Sequence, residues 1–283
     1  MKNGFTLIMV IVFLLSGCSQ RAEPSPSQEP IQATEENTEV PIPIEIEPTA
    51  TDVPSTNTPE PSSTLPQPTP TAIQPTLTAL PNGVLFRDDF EGVLQPGWTW
   101  INEDPARWSF VDGGWLEIVG DNPGFYQQGD FGIVNFLTRP VPAGEFEITA
   151  HIQSNPNENF QQATIFIFEN QDNYIALNTG YCQPCPTSGY GFYMETIIDN
   201  NPFGDFYAIP RAPEDTDVYL QLINQGGSLT GYYATTPGDW QRVGAFGNYF
   251  DFKSVGLGTT NSNTEGVQND IVSRFDYFEI SQP

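Results

Sequence analysis

Basic residues are scarce in this chain of 283 residues, which has nine Lys and Arg against 35 Asp and Glu and a net charge of −26. A surface this acidic repels phosphate backbones and anionic lipid headgroups. Nucleic acid is therefore a poor partner, and neutral ligands or cations are better ones. The apolar run 5–15 is too short to span a membrane as a mature helix. The chain has one histidine, His151, which argues against a Ser-His-Asp set and against zinc held by paired histidines.

Residues 1–18 have the features of an export signal. Lys2 provides a positive start, the apolar run follows, and Leu15-Ser16-Gly17-Cys18 places small residues directly before a cysteine. This tetrapeptide resembles a bacterial lipobox, which implies that Cys18 becomes the N-terminus and carries acyl chains. Stable membrane anchoring requires two signals, and several acyl chains on one residue provide more than that. We therefore predict an exported lipoprotein anchored to the cell membrane, on its extracellular side, through Cys18; an ordinary secretory signal with a chance cysteine is the alternative.

Aromatic residues are absent from residues 19–83, which hold 14 of the 27 prolines among Thr, Ser, Glu and Gln. Such a segment cannot bury enough apolar surface to offset the entropy lost on ordering. Repeated Pro-Thr and Pro-Ser steps favour polyproline II, in which the segment would reach about 200 Å at about 3.1 Å per residue. We predict a disordered linker that acts as a spacer.

Two cysteines remain, in the sequence Cys182-Gln183-Pro184-Cys185, and the flanking Gly and Pro residues predict a loop there. A redox-active pair usually relies on a helix N-terminus to lower the thiol pKa, and zinc would need a second pair of ligands. In an oxidising exterior we therefore predict a local disulfide between Cys182 and Cys185. In a reducing exterior both thiols would stay free.

Residues 84–283 contain 34 of the 36 aromatic residues, and their apolar residues recur at every second position. The alternation is clearest at 146–152, 163–168 and 218–223, and Gly- and Pro-rich turns separate the runs. No stretch of ten residues has a convincing helical stripe. We predict one all-β domain, a two-sheet antiparallel jelly-roll sandwich. The further strand candidates are 84–90, 107–111, 115–119, 132–138, 173–178, 189–196, 229–234, 254–259 and 272–281.

The order of motifs in this domain resembles that of concanavalin A-like, or laminin-G-like, sandwich domains. The motifs are Phe86-x-x-x-Phe90, Trp98-x-Trp100-x-Asn102, Gly114-Trp115-Leu116-x-Ile118 and the closing Phe275-Asp276-Tyr277-Phe278. The domain is most similar to the accessory domain at the C-terminal end of family 43 β-xylosidases, over essentially all of 84–283. The superfamily also holds catalytic members, the β-glucanases and 3-keto-disaccharide hydrolases, so the fold alone does not decide activity.

Three of the five tryptophans lie within 98–108. In the resembled domains this segment lies over the end of the sandwich, which implies core roles for Trp98 and Trp108. Trp100 precedes the polar run 101–104 and is predicted to reach solvent, where an indole can stack on a sugar ring while polar groups bridge hydroxyls. A structural clamp within the loop is the alternative for this ring. The predicted carbohydrate-binding residues are Trp100, Asn102, Tyr181 and Tyr190.

A pair of carboxylates would be required for glycoside hydrolysis, at about 5–5.5 Å in retaining enzymes and about 6.5–9.5 Å in inverting ones. Glu145 and Glu147 would share one face of a strand, with His151 on the same face. The Glu-x-Asp-x-x-Glu motif of the β-glucanases is absent, and we interpret Glu145 and Glu147 as the solvated face of a strand. Glu195 and Asp199 lie too far apart for a simple pair on one strand.

The resemblance to β-glucanases further implies a structural calcium ion where the two ends of the domain meet. Carried over by motif, its ligands are main-chain oxygens of Asp89 and Gly114 and the carboxylate of Asp276. Calcium takes about six to eight oxygens at about 2.3–2.6 Å, so Glu91 or water would complete the shell. The alternative is that Asp276 pairs with an arginine or is exposed.

We therefore expect a membrane-anchored, monomeric module that binds a neutral glycan without cleaving it. A glycan-cleaving enzyme of the same superfamily is one alternative, and an adhesion or structural module that recognises protein is another. A carboxylate pair in the binding groove would favour the enzyme. Exposed aromatic rings without such a pair would favour the binding module, and a surface without exposed aromatic rings would favour adhesion.

Overall fold

The computed structural model describes residues 80–81, 83–111, 113–120, 134–261 and 269–283. These residues form strands, turns and loops without a helix, so none of their segments is a helix that could cross a membrane. The predicted export signal with Cys18, and residues 19–79 of the predicted linker, lie outside these ranges.

Sixteen strands follow one another along the described chain. They are β1 (Val84–Asp88), β2 (Thr99–Ile101), β3 (Trp108–Val111), β4 (Trp115–Gly120), β5 (Phe136–Pro140), β6 (Phe146–Ser154), β7 (Gln161–Asn170), β8 (Asn173–Cys182), β9 (Gly189–Ile198), β10 (Asn201–Pro202), β11 (Tyr207–Pro210), β12 (Asp217–Gln225), β13 (Ser228–Ala234), β14 (Gln241–Gly247), β15 (Ser254–Asn261) and β16 (Ile271–Ser281).

The strands form two antiparallel sheets. Sheet A has the order β14–β13–β12–β6–β16–β4–β3, and β1 also pairs with β16. Sheet B has the order β10–β9–β8–β7–β15–β5–β2, and β11 also pairs with β9. The centre of each sheet pairs strands that are distant in sequence, β12–β6–β16–β4 in sheet A and β7–β15–β5–β2 in sheet B, as expected for a jelly roll rather than a series of hairpins. The predicted two-sheet, all-β sandwich is confirmed.

The hairpin between β12 and β13 illustrates how local sequence determines these pairings. Gln225 pairs with Ser228, which leaves Gly226 and Gly227 as the two central residues of the turn. Both have positive φ, 61° and 75°. A two-residue turn of this type requires positive φ at both positions, which glycine adopts without a steric penalty.

The main core lies between the two sheets and follows the predicted alternation. In β6, Phe146, Ile148, Ala150 and Ile152 are all at most 1% exposed, and they lie in the same cluster as inward residues of sheet B such as Ile165. Successive side chains of a strand point to opposite faces, so the residues between them lie on the outer face of sheet A.

Sheet B has a second apolar cluster, on the face that points away from sheet A. Phe136, Phe166, Tyr174, Ala176 and Ile197 form it, and each is at most 1% exposed. Two rings lie directly over glycines of β15: an added Cβ would stand 2.9 Å from the Phe136 ring at Gly258 and 2.8 Å from the Phe166 ring at Gly256. Sheet B is therefore apolar on both faces, whereas the outer face of sheet A is polar.

Candidate functional site

The three clustered tryptophans lie on the inner side of the sandwich. Trp98 packs between Phe86 and Phe278, with ring centroids 5.6 and 5.1 Å away. Its Nε1 donates a hydrogen bond of 2.8 Å to the buried carboxylate of Asp88. That carboxylate also accepts from the main-chain nitrogens of Phe90 and Gln95, so Asp88 fixes the segment after β1 and orients the indole.

Trp100 is partly buried rather than exposed as the sequence predicted, and in this it resembles Trp98 and Trp108. It lies in β2 opposite Leu137, a core residue of β5, and so points inward with it. Its ring is partly buried against the core and stands 4.8 Å from the ring of Trp108. The polar run 101–104 suggested exposure, but the two-residue period of the paired strand determines the direction of the ring.

The other predicted sugar-binding residues lie in two separate places. Asn102 is exposed, has φ of 49°, and borders a shallow depression of about 670 Å³ that is also lined by 168–172. Tyr181 and Tyr190 pair across β8 and β9, and their rings meet edge to face at 5.0 Å. Three strands of sheet B separate β2 from β8, a distance of about 19 Å at about 4.8 Å per strand. The structure does not bring the predicted residues together.

The cysteine loop is closed and fixed to β9. Cys182 and Cys185 form a disulfide, with a Cα–Cα distance of 5.3 Å. The Tyr193 hydroxyl donates to the carbonyl oxygen of Gly189 at 2.5 Å and lies 2.6 Å from Thr187 Oγ1. The loop thus fixes the end of the Tyr193 side chain, whose ring lies on the outer face of sheet B.

Large exposed aromatic side chains occur at one edge of sheet B. Phe203 and Phe206, between β10 and β11, are 49% and 42% exposed, and Tyr249, between β14 and β15, is 72% exposed. The Phe203 and Tyr249 rings meet edge to face at 6.1 Å, and Phe206 stacks on Tyr193 at 5.8 Å. We call Phe203, Phe206 and Tyr249 the aromatic edge.

Sequence reasoning missed the aromatic edge because its residues lie in loops, outside the alternating runs. A usable signal existed in Phe203-Gly204-Asp205-Phe206, where large rings are interleaved with turn residues. Rings in such a loop have no strand face to fill, and clustered exposed rings mark interaction surfaces.

A single carboxyl group lies among the outward residues of β9, between Tyr193 and Ile197. It belongs to Glu195, whose Oε1 accepts a hydrogen bond of 3.3 Å from Asn178 Nδ2. Burial raises the pKa of Glu195 to about 7, and the bond from Asn178 opposes that rise. No other charged group among the described residues contributes to this shift. The pKa of Glu195 is therefore raised by burial and not by a second carboxylate.

The candidate pair on β6 is occupied by structural contacts. Glu145 accepts a hydrogen bond from the main-chain nitrogen of Gly226, and Glu147 accepts one from the Ser281 hydroxyl. Glu145 thus holds the β12–β13 turn, and Glu147 links β6 to β16. These contacts agree with the interpretation of both residues as part of a structural, solvated face.

His151 forms a compact cluster on the outer face of sheet A. Its ring stacks on Tyr219 at 4.2 Å and lies 5.2 Å from the Trp115 ring. Its Nε2 lies 2.5 Å from Asp217 and its Nδ1 2.9 Å from Asp276. A doubly protonated imidazole can donate to both carboxylates, so the side chain connects β6, β12 and β16.

Some of the predicted calcium ligands lie close together. An added Cβ on Gly114 would lie 3.4 Å from the main-chain oxygen of Asp89 and 3.7 Å from the Glu91 side chain, so these three residues are neighbours. One oxygen of Asp276 is occupied by His151. Among the described residues no group of three or more His, Cys, Asp or Glu could hold a metal ion, so a site here would depend on main-chain oxygens. Calcium binding remains a prediction.

This chain is similar to known proteins both in sequence and in fold. The family model described as the β-xylosidase C-terminal concanavalin A-like domain matches residues 87–281. No curated protein sequence matches the chain.

Among solved structures, the GH43 protein BlXynB from Bacillus licheniformis is 17% identical with a TM-score of 0.58, over 70% of this chain and 39% of that one. The xylan β-1,4-xylosidase from Bacillus halodurans is 20% identical with a TM-score of 0.56, over 69% and 39%. The Bacteroides ovatus protein named xyloglucan PUL GH43B is 15% identical with a TM-score of 0.59, over 75% and 42%.

At these identities the structural likeness establishes the fold alone. The match covers only about two-fifths of each of those chains. The family match extends from β1 to β16 and thus includes both sheets. The resemblance inferred from the sequence motifs is therefore confirmed, and the chain belongs to the family of concanavalin A-like domains found at the C-terminal end of β-xylosidases.

Proposed function

We propose that this protein is a non-catalytic glycan-binding lipoprotein. Acyl chains on Cys18 hold it at the outer side of the cell membrane, the linker 19–83 acts as a spacer, and the monomeric sandwich domain 84–283 binds a neutral polysaccharide. Family membership supports a role connected with glycans, because the family model is named for a domain of β-xylosidases.

The aromatic edge is the observation that carries this proposal. Exposed rings can stack on the apolar face of a pyranose, and Phe203, Phe206 and Tyr249 lie at one edge of the sandwich. The net charge of −26 disfavours anionic polymers and leaves neutral ones as the better ligands. The similar proteins named for xylan and xyloglucan make these two polysaccharides the first to test.

A glycoside hydrolase is the second candidate, and Glu195 is the observation in its favour. A carboxyl group with a pKa raised to about 7 has the property of a general acid. The absence of a second carboxylate acting on it, within the described part of the chain, argues for binding rather than cleavage.

Binding and cleavage can be measured together on residues 19–283, the chain without its signal segment. We expect retention on one or more members of a polysaccharide panel that includes xylan and xyloglucan, without release of reducing ends. Phe206→Ala should weaken binding, whereas Leu85→Ala, a change at a 46% exposed side chain on sheet A, should leave it unchanged. Release of reducing ends would favour the enzyme, and a lack of binding to every polysaccharide would contradict the proposal.

The anchor requires a separate test on the whole chain. Cys18→Ser should release soluble protein or leave an uncleaved precursor, because the acyl chains would be the only apolar anchor. Membrane fractionation and the mass of the N-terminal peptide distinguish these states. A Cys18→Ser protein that is cleaved normally and still retained in the membrane would contradict the lipoprotein assignment.

A further inference from the structure

Glu195 and the aromatic edge are neighbours on the same face of sheet B. Tyr207 pairs with Met194, and the main-chain nitrogen of Phe203 donates to the carbonyl oxygen of Thr196, so the segment 204–206 lies opposite Glu195. Phe206 also stacks on Tyr193, which precedes Glu195 by two residues and so shares its face. Glu195, a residue of intermediate exposure, thus lies near the exposed ring of Phe206.

A buried side chain of β8 holds the Glu195 carboxyl group in position. Asn178 is fully buried and donates to Glu195 Oε1, and no partner for its own Oδ1 is found within the described part of the chain. A buried amide in a fixed orientation restricts the rotation of the carboxyl group that it contacts. An oriented polar group beside an aromatic ring is the combination from which small-ligand sites are built.

We infer that Phe206 and Glu195 form one sugar subsite, in which the ring of Phe206 stacks on the apolar face of a neutral sugar and the Glu195 carboxyl group binds its hydroxyls. The inference rests on the proposed glycan-binding function and names the polar residue that would orient the sugar. Glu195 is a positioning and binding group here, and no covalent step is involved.

Protonation of Glu195 should control this subsite. Burial raises the pKa of Glu195 to about 7, and a sugar hydroxyl that accepts a hydrogen bond from the neutral carboxyl group would favour that form further. The neutral carboxyl group can both donate and accept. The titratable or charged groups on the neighbouring elements are Tyr190 and Tyr193 on β9, Tyr174 and Tyr181 on β8, Asp205 next to Phe206, Tyr207 on β11 and Arg211 after it. None of these contributes to the pKa shift of Glu195.

Calorimetric titration of residues 19–283 with soluble xyloglucan and with soluble xylan, from about pH 5.5 to about pH 8.5, tests the inference. Wild-type affinity should fall about tenfold as pH rises through about 7, the factor that corresponds to a pKa one unit higher in the complex. Glu195→Gln should bind independently of pH, and Phe206→Ala should bind about tenfold or more weakly at every pH. Glu214→Gln, which removes an exposed charge, and Leu85→Ala should behave as wild type.

The outcomes separate the inference from the function on which it rests. If Phe206→Ala weakens binding while wild type and Glu195→Gln share one flat pH profile, the inference is wrong and the function stands. If all variants bind as wild type, the inference is wrong and the sugar binds elsewhere. If wild type binds neither polysaccharide, the inference is overturned, and the wider panel decides the proposed function. Should Glu195→Gln fail to fold, the wild-type pH profile alone supports or overturns the inference.

Discussion

The two outer faces of the sandwich differ in how their charged groups are satisfied. On sheet A, His151 lies between two carboxylates, and Arg274 Nε donates to Glu117 at 2.9 Å. On sheet B, the cluster around Phe136 and Phe166 is apolar, and the one carboxyl group of β9 accepts a hydrogen bond from a neutral amide. On sheet A the carboxylates of Asp217, Asp276 and Glu117 have nitrogen partners on His151 and Arg274, whereas on sheet B Glu195 has a neutral amide as its partner.

This difference distinguishes a face whose polar groups stabilise the fold from a face that is suited to bind a ligand. A set of mutually paired groups gains little from a ligand, because each new contact replaces an existing one. A carboxyl group in apolar surroundings beside exposed rings gains from a ligand that supplies both hydroxyls and an apolar face. The fold offers two broad outer faces, and under the proposed function the outer face of sheet B is the one suited to recognition.

The clustered indoles belong to the interior of the sandwich and to neither outer face. Trp98→Ala should therefore reduce the free energy of unfolding by about 3–5 kcal/mol, since it empties a core site and removes a hydrogen-bond donor from buried Asp88. Trp98→Phe keeps most of the volume and should cost less. Denaturant unfolding measures both. A loss below about 1 kcal/mol for Trp98→Ala would mean that the ring does not fill the core.

Glu195 should make stability depend on pH. Its folded pKa of about 7 exceeds the ordinary value of 4.5, so the folded chain holds this proton more tightly than the unfolded chain. The resulting contribution is complete below about pH 4.5 and is lost as pH rises to about 7, by about 3 kcal/mol at most, since one pKa unit corresponds to about 1.4 kcal/mol.

The difference in unfolding free energy between wild type and Glu195→Gln should therefore change across this interval and level off above it. Unfolding curves at a series of pH values measure this difference. Glu214→Gln serves as the control for removal of one acidic group, because that side chain is exposed. A constant difference between wild type and Glu195→Gln would mean that the carboxyl group is solvated like any surface group.

His151 should matter for stability and not for binding. His151→Ala removes a stacked ring and a shared donor from Asp217 and Asp276, and we expect a loss of about 2 kcal/mol of unfolding free energy. Gln153→Ala, at the next outward position of β6, should change stability by about 0.5 kcal/mol or less. A loss of polysaccharide binding in a folded His151→Ala protein would indicate that sheet A also recognises sugar.

Calcium should give the smallest effect. If Asp89, Gly114 and Asp276 hold an ion, millimolar calcium should raise the melting temperature by about 2–4 °C and a chelator should reverse the rise. Asp276→Asn should abolish this response. Asp217→Asn, which alters the other carboxylate of His151, should retain it. A melting temperature that is indifferent to calcium and chelator would leave Asp276 as a partner of His151 alone.

The sequence predicted the sandwich because strands such as β6 alternate and the turns carry the residues that they require. Gly226 and Gly227 illustrate the turns, and Phe146 to Ile152 illustrate the alternation. The order of motifs predicted the family. The prediction for Trp100 was wrong about exposure, because the pairing of β2 with β5 depends on residues far away in the chain.

The candidate site could not be predicted from periodicity. Phe206 lies just before β11 and Tyr249 in the connection after β14, and only the fold sets loops this distant in sequence at one edge. The sequence offered Glu195 only as a carboxylate too far from Asp199 to form a simple pair on one strand. Its apolar surroundings belong to the outer face of sheet B, which an alternating pattern predicts to be polar.

The most direct test of the account is the affinity of residues 19–283 for the polysaccharide that binds best in the panel, with and without the ring of Phe206. Phe206→Ala should lose about 1–3 kcal/mol of binding free energy with little change in melting temperature, because the ring is 42% exposed. Trp100→Ala should instead lower stability, because its ring packs against the core. Unchanged binding by Phe206→Ala, or loss of binding by a stable Trp100→Ala protein, would contradict the claim that the aromatic edge of sheet B is the glycan-binding site.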